Sequence, residues 1–457
     1  MMSDTHEVLA SIVGAANVAS GDAISDDLTH DEGLGVEPHR PDVVVWPEST
    51  AAVAAVVAHA NDHRIPVTAR GAGTGLSGAC VARSGGVLIS FDKMNRILEI
   101  DTENHVAVVQ PGVTLDQLDA ALAPLGLVYP VFPGEYSASL GGNVNTNAGG
   151  MRAVKYGVTR HHVLGVEAVL ATGEVIRAGG KIVKISTGYD LTQLIIGSEG
   201  TLAVVTEATL KLQPRLPFST TILAPFATLD GVTGAVPRVV ASGLGPQILE
   251  YIDLLTMSVM TSSGSLDLGI PQDVKDSALA YLVVVLESAH ADRLDADVEA
   301  LAGLLGELDA MDVYVLPGGA AAQLIDAREK AFWLAKANGA NDVVDVVVPR
   351  ASIPEFMERV SALASETGSW IAGCGHAGDG NVHLGVFQSD PDALHTVMMG
   401  LYRAGMELGG AISGEHGLGT EKRSYFLELE DPAKIDLMRR IKAAFDPNGI
   451  LNPGAVL

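Results

Sequence analysis

Ile65-Pro66-Val67-Thr68-Ala69-Arg70-Gly71-Ala72-Gly73-Thr74-Gly75-Leu76-Ser77-Gly78 reads as a short strand running into a loop with four glycines in its last nine residues. Glycine lets backbone N–H groups approach a ligand closely, and successive amides make an anion-binding nest. The loop is not a dinucleotide fingerprint of the Rossmann type, because its glycine spacing is wrong and no helix opens directly after it. By itself it is either a structural turn or a phosphate cradle. Two further tracts shift that balance: residues 133–150, with Gly141-Gly142-Asn143 and Asn147-Ala148-Gly149-Gly150, and Gly197-Ser198-Glu199-Gly200-Thr201. Three such loops, each beside a strand, suit a cofactor with a pyrophosphate. They would hold a dianion without a lysine cluster in a chain whose net charge is −26.

Around these loops strands alternate with helices. Val43-Val44-Val45-Trp46 is a strand, and Ser49 is an N-cap for a helix burying Val53, Val56, Val57 and Ala60. Residues 86–90 and 106–110 read as strands, and a helix starts near Thr114. Residues 166–170 and 174–177 form a hairpin about Thr172-Gly173, and 202–206 is another strand. After Leu212-Gln213-Pro214 the texture changes. Short strands at 220–224, 247–252, 282–287, 313–316 and 343–348 alternate with helices, which predicts an antiparallel sheet with helices on one face. Residues 431–457 begin as a helix and close with Asn452-Pro453-Gly454.

A second informative stretch is Gly375-His376-Ala377-Gly378-Asp379-Gly380-Asn381-Val382-His383, followed later by Ser413-Gly414-Glu415-His416-Gly417. Asp-Gly between alternating runs predicts a two-residue hairpin turn, with Asp379 and Gly380 at its tip and His376 opposite His383. Directly opposed β-carbons lie roughly 4.5–5.5 Å apart, so the two imidazoles could share a metal ion. Glu415 would add an oxygen ligand and leave room for substrate. The plainer alternative is a glycine-rich turn whose histidines hydrogen-bond the backbone.

The whole chain narrows the class. Its 457 residues, 47% hydrophobic and 18% charged, describe a folded protein of two or three domains. No basic stripe is present to neutralise phosphates, which disfavours nucleic acid. Cys80 and Cys374 belong to no paired motif, so neither a disulfide framework nor a cysteine zinc site is expected. The start, Met1-Met2-Ser3-Asp4-Thr5-His6-Glu7, lacks a signal-peptide design, and no apolar run approaches about 18 residues. A cytoplasmic location is expected, with peripheral membrane docking open.

Residues 41–214 resemble the FAD-binding domain of the vanillyl-alcohol oxidase/p-cresol methylhydroxylase family. The likeness lies in Pro66 through Thr74, Gly141-Gly142-Asn143, Lys155-Tyr156-Gly157 and Gly197-Ser198-Glu199-Gly200-Thr201-Leu202. The remainder resembles the C-terminal domain of FAD-linked D-2-hydroxy-acid dehydrogenases: the D-lactate, glycolate and D-2-hydroxyglutarate group. Here the matching segments are 376–383, 413–419, Phe445-Asp446-Pro447 and Leu451-Asn452-Pro453-Gly454. The resemblance implies an α+β chain: an N-terminal segment (1–40), a two-subdomain FAD-binding domain (41–214), a substrate or cap domain with the metal site (215–425), and a C-terminal segment returning to the FAD domain (426–457). It implies FAD contacts at Thr68, Arg70, Gly71, Ala72, Gly73, Thr74, Gly75, Leu76 and Ser77. Further contacts are implied at Pro133, Gly134, Ser137, Gly141, Gly142, Asn145, Asn147, Gly149, Gly150, Tyr156, Gly157, Glu199, Gly200, Val205 and Asn452. Some relatives attach FAD through a histidine in the first loop; Thr74 stands near that place, so non-covalent FAD is expected.

Within this resemblance the opening parts acquire roles. A 2-hydroxy acid loses its hydroxyl proton and delivers a C2 hydride to flavin N5. Zn2+ or Mn2+ on His376, His383 and Glu415 would acidify the hydroxyl, and His416 is the candidate base, or else a fourth ligand. Arg328, in Asp326-Ala327-Arg328-Glu329-Lys330, is the candidate clamp on the substrate carboxylate, or else a solvated helix arginine. Asn381 and Phe332 are candidate substrate contacts. The hydroxyglutarate branch carries a threonine, a lysine and an asparagine where Phe332, Val343 or Val344, and Gly385 stand here. A distal carboxylate therefore lacks its expected partners, which favours D-lactate or a longer D-2-hydroxyalkanoate. Expected partners are that small acid and an electron acceptor (a quinone, an electron-transfer flavoprotein or a cytochrome), with a homodimer possible. The alternatives are D-2-hydroxyglutarate oxidation, an O2-using oxidase and a metal-dependent hydrolase.

Overall fold

The computed structural model describes residues 2–261 and 266–457, with side chains from residue 5. Met1 and residues 262–265 of the expected segments lie outside the described residues. The chain divides into two compact units: Met1–Ala148 with Val158–Arg215 and Glu415–Leu457, and Gly149–Gly157 with Leu216–Gly414. The expected segments differ from these units in two places. The short glycine-flanked stretch Gly149–Gly157 groups with the second unit, and the last crossing falls at Gly414 rather than near 425.

Among the described residues the first unit holds two main sheets and a two-stranded one, Leu127–Val128 with Gln213–Pro214. Val43–Val45, Val87–Ser90 and Val67–Arg70 are parallel neighbours. Ser49 Oγ accepts the Ala52 N–H and starts helix Thr50–His63, which buries Val53, Val56, Val57 and Ala60 as the period requires. The first forty residues, which show no element by pattern, add helix Met2–Val13 and strand Val18–Ser20, antiparallel to Val43–Val45. Leu9, fully buried in the same core as Val53 and Val56, anchors that helix. The second sheet runs Ile97–Asp101, Val106–Val109, Val204–Lys211, Val163–Val169, Val175–Gly179, all antiparallel.

The second unit is built on a seven-stranded antiparallel sheet in the order Tyr314–Val315, Phe218–Phe226, Ala280–Ser288, Ile248–Asp253, Trp370–His376, Asn381–Phe387, Asp342–Val347. Helices cover both faces, not one as expected. Ile252 faces Met257, Met260 and Leu324 from helices Leu254–Thr261 and Gly318–Glu329. Its neighbour Tyr251 points oppositely and reaches Met357 Sδ, on helix Ile353–Thr367, at 3.9 Å. The reason lies in Ala280–Ser288, whose run Ala-Tyr-Leu-Val-Val-Val-Leu is buried on both sides rather than on alternate residues.

The histidine hairpin also differs from expectation. Its connection is four residues, 377–380, so His376 pairs with Asn381 and Cys374 with His383. The neighbouring strands decide this. Gly378 N donates to Leu249 O at 3.0 Å, and Val348 N donates to Gly380 O at 3.0 Å. A two-residue slip in pairing keeps every side chain on its face, so the histidines become diagonal neighbours, still within reach. Gly380 has φ +96°, and a β-carbon there would fall 2.0 Å from Val348 O. Gly380→Ala is expected to destabilise the chain by about 1–3 kcal/mol or more in urea unfolding. A loss under about 0.5 kcal/mol would show that the turn tolerates a side chain.

Candidate functional site

In the first unit the three glycine-rich tracts close into a ring. Ser139 Oγ accepts the N–H of Ala72 at 3.2 Å and of Gly142 at 3.3 Å, joining the first loop to the second tract. A β-carbon on Gly71 would lie 1.9 Å from that hydroxyl oxygen, so only glycine permits the contact. The third tract joins the second where Gly197 N and Glu199 N donate to Val144 O and Asn145 O. Asn452 Nδ2 closes the ring by donating to Glu199 O at 2.7 Å and Ala79 O at 2.8 Å. Within these tracts Asn143 Nδ2, Asn145 Oδ1 and Ser198 Oγ are buried without a protein partner. Orphaned polar atoms in a glycine cradle fit a polar cofactor laid along it.

Other expected cofactor residues take different positions. The buried Arg70 guanidinium donates to Asp27 O at 2.7 Å and His30 O at 2.8 Å. Val205 lies in the core. Ser137 is exposed, with its hydroxyl on Glu135. Gly149, Gly150, Tyr156 and Gly157 belong to the second unit, where Tyr156 Oη bonds Glu287. Ser139 was not among the expected residues, although a serine just before Leu140-Gly141-Gly142 is an N-cap signal.

The segment after Gly414 is held within the first unit. Ser77 Oγ donates to His416 O at 3.0 Å, while Glu199 accepts Leu418 N at 2.8 Å and Gly419 N at 2.7 Å. Burial pushes the Glu199 carboxyl up to about 7, against the pull of those two N–H groups and Lys422. Its folded value thus exceeds that of an unfolded glutamate, about 4.3. The folded chain binds the extra proton, so this contribution to stability is full below about pH 4.3 and is lost as pH rises to about 7. Glu199→Gln is expected to flatten the fall in urea midpoint across that window. Parallel wild-type and variant curves would contradict it.

In the second unit, register alone brings the histidines together. Tyr251 pairs with Gly375 and Ile252 with Cys374, which sets Glu250 beside His376 and, through the hairpin, Asn381. The next row on the same face is Ile252, Cys374, His383 and Asp345. The His376 and His383 rings stand edge to face with centroids 4.8 Å apart. His376 Nδ1 contacts Glu250 Oε1 at 2.7 Å, so Nε2 is the ring nitrogen that a metal ion would take. Arg328, in the last turn of helix Gly318–Glu329, is buried, with a guanidinium nitrogen 2.6 Å from Glu250 Oε2. The solvated-helix alternative for this arginine is thereby removed.

Asp345 is fully buried and binds Asn381 Nδ2 at 2.9 Å and Ser413 Oγ at 2.7 Å. The Asn381 amide also donates to Val346 O, so its N–H groups serve the sheet rather than facing a ligand. Burial pushes the Cys374 thiol up to about 11, which keeps it neutral. Phe332 is half-buried on helix Ala331–Ala337, packed on Trp333 with the Lys336 ammonium 6.0 Å from its ring centre. Glu250 and Asp345 are the residues that sequence reading missed. Their signal was an acid inside an apolar strand, as in Ile-Leu-Glu-Tyr-Ile and Val-Val-Asp-Val-Val. Among the described residues, no helix is long and apolar enough to cross a membrane.

Comparison with known proteins agrees with both halves. A family described as FAD linked oxidases, C-terminal domain, matches residues 216–456, and one described as FAD binding domain matches 41–179. An uncharacterized FAD-linked oxidoreductase of Mycobacterium tuberculosis (strain H37Rv) is 58% identical over 455 residues, covering 100% of this chain and 99% of that protein. A D-lactate dehydrogenase of Anaerostipes hadrus is 39% identical over 456 residues, covering 97% and 95%. The solved structure of p-cresol methylhydroxylase with substrate bound shares the fold, with a TM-score of 0.78 at 19% identity over 99% of this chain and 96% of that one. The chain belongs to the FAD-linked oxidoreductases that join an FAD-binding domain to the FAD-linked oxidase C-terminal domain.

Proposed function

We propose that this protein oxidises a D-2-hydroxy acid to the 2-oxo acid, with FAD held non-covalently. When bound, the flavin supplies the acceptor for the C2 hydride, at N5. A divalent ion, Zn2+ or Mn2+, on His376, His383 and Glu415 would supply Lewis acidity to the substrate hydroxyl. The observation that carries the reading is the buried row of Glu250, His376 and Asn381, with His383 diagonal to His376 and Arg328 on Glu250. Arg328 grips the substrate carboxylate, and His416 takes the hydroxyl proton. Glu415 follows Ser413 and Gly414, both bonded to Asp345 beside His383, so the peptide chain keeps it within a short reach.

The tail is apolar or small. Beyond His383 the next row on the same face is Ala372, Gly385 and Val343, with Ala335 3.4 Å from a β-carbon built on Gly385. Nothing in that row would pair a second carboxylate. The electron acceptor would be a quinone, an electron-transfer flavoprotein or a cytochrome.

The test is anaerobic flavin bleaching with a panel of hydroxy acids. D-lactate and D-2-hydroxybutyrate should bleach bound FAD faster than L-lactate or D-2-hydroxyglutarate. Faster bleaching by the L-acid, or by the diacid, would overturn the stereochemical or the substrate assignment respectively. Rapid reoxidation in air would point instead to an oxidase.

A further inference from the structure

We infer that Glu250 is a positioning residue shared by two functions, steering the metal ligand His376 and the carboxylate clamp Arg328 with one buried carboxylate. The inference rests on the metal and clamp assignments of the proposed function. Glu250 lies in the middle of strand Ile248–Asp253 and is fully buried. Its two oxygens serve different partners: Oε1 meets His376 Nδ1 at 2.7 Å, and Oε2 meets an Arg328 guanidinium nitrogen at 2.6 Å.

Two physical points give this arrangement a purpose. A carboxylate oxygen accepts, so Nδ1 carries the hydrogen and the lone pair moves to Nε2. Histidine ligands are commonly oriented in this way, by a carboxylate behind the ring. An unpaired carboxylate in this place would be strongly unfavourable, and the Arg328 guanidinium balances it. Glu250 therefore aims the imidazole and holds the guanidinium in register with it. His383 has a looser counterpart in Asp345, whose Oδ1 lies 3.7 Å from Nδ1, beyond hydrogen-bond length.

The test uses the FAD-loaded chain and Mn2+ alone as probe, with Mn2+ binding followed by electron paramagnetic resonance. Glu250→Gln should retain the flavin spectrum and weaken Mn2+ binding by about 10–100-fold. At saturating Mn2+ it should still show a raised KM for D-lactate with a smaller change in kcat, because Arg328 has lost its counter-charge. Glu250→Asp keeps the charge but is one methylene shorter. It should also weaken Mn2+, and it serves the same comparison if the glutamine variant does not fold. Wild-type protein that binds no Mn2+ would overturn the metal assignment, and this inference with it. Variants that bind Mn2+ within about twofold of wild type would overturn the role of Glu250 while leaving the metal assignment standing. Weakened Mn2+ binding with an unchanged KM at saturation would overturn the shared role.

Discussion

His416→Ala is expected to lower kcat by about 10²–10⁴, the range for loss of a general base, with FAD retained and KM little changed. The backbone around His416 is held by groups other than its ring. Ser77 Oγ bonds its carbonyl, and the Glu199 carboxylate holds the N–H groups of Leu418 and Gly419. Truncating the imidazole therefore removes the proposed base without releasing the segment that carries it. A variant that keeps kcat within about threefold of wild type would place the base elsewhere.

The second large effect is on stability. Arg328→Ala is expected to cost about 3–5 kcal/mol in urea unfolding, because it leaves the fully buried Glu250 carboxylate without its cation. Substrate affinity should fall as well. The double variant Arg328→Ala with Glu250→Gln removes both charges. It should lose less than the sum of the two single changes, with a coupling of about 0.5–3 kcal/mol. Additive losses would mean that the two side chains do not depend on each other.

Much of this architecture was legible in local chemistry. The apolar period of residues 53–60 and the oxygen of Ser49 made helix Thr50–His63 readable, and the glycine tracts marked where backbone segments approach closely. The hairpin was half legible. Its two strands and the shared face of His376 and His383 were plain, but the pairing was not. The Asp-Gly pair favours a two-residue turn locally, yet contacts to Leu249 O and from Val348 N draw residues 377–380 into a longer one. Those partners lie far away in sequence, and no local rule contains them. Asn381 shows the same limit. Residue type made it a fair substrate contact, whereas the structure engages its amide with Asp345 and Val346.

Glu250 and Asp345 mark the boundary most clearly. Each stands in an apolar strand, where a carboxylate is unfavourable unless something distant compensates it. Such a residue signals that a partner exists without saying which. Sequence by itself determined the mixing of helices and sheets, the three glycine tracts and the pair of histidines on one face, because these follow from local geometry, while the resemblance of its contiguous motifs implied FAD. Only the tertiary structure decided that Glu250 meets both His376 and Arg328, and that Asp345 stands behind His383. Those pairings depend on strand order and register across a sheet, which many weak long-range contacts set together.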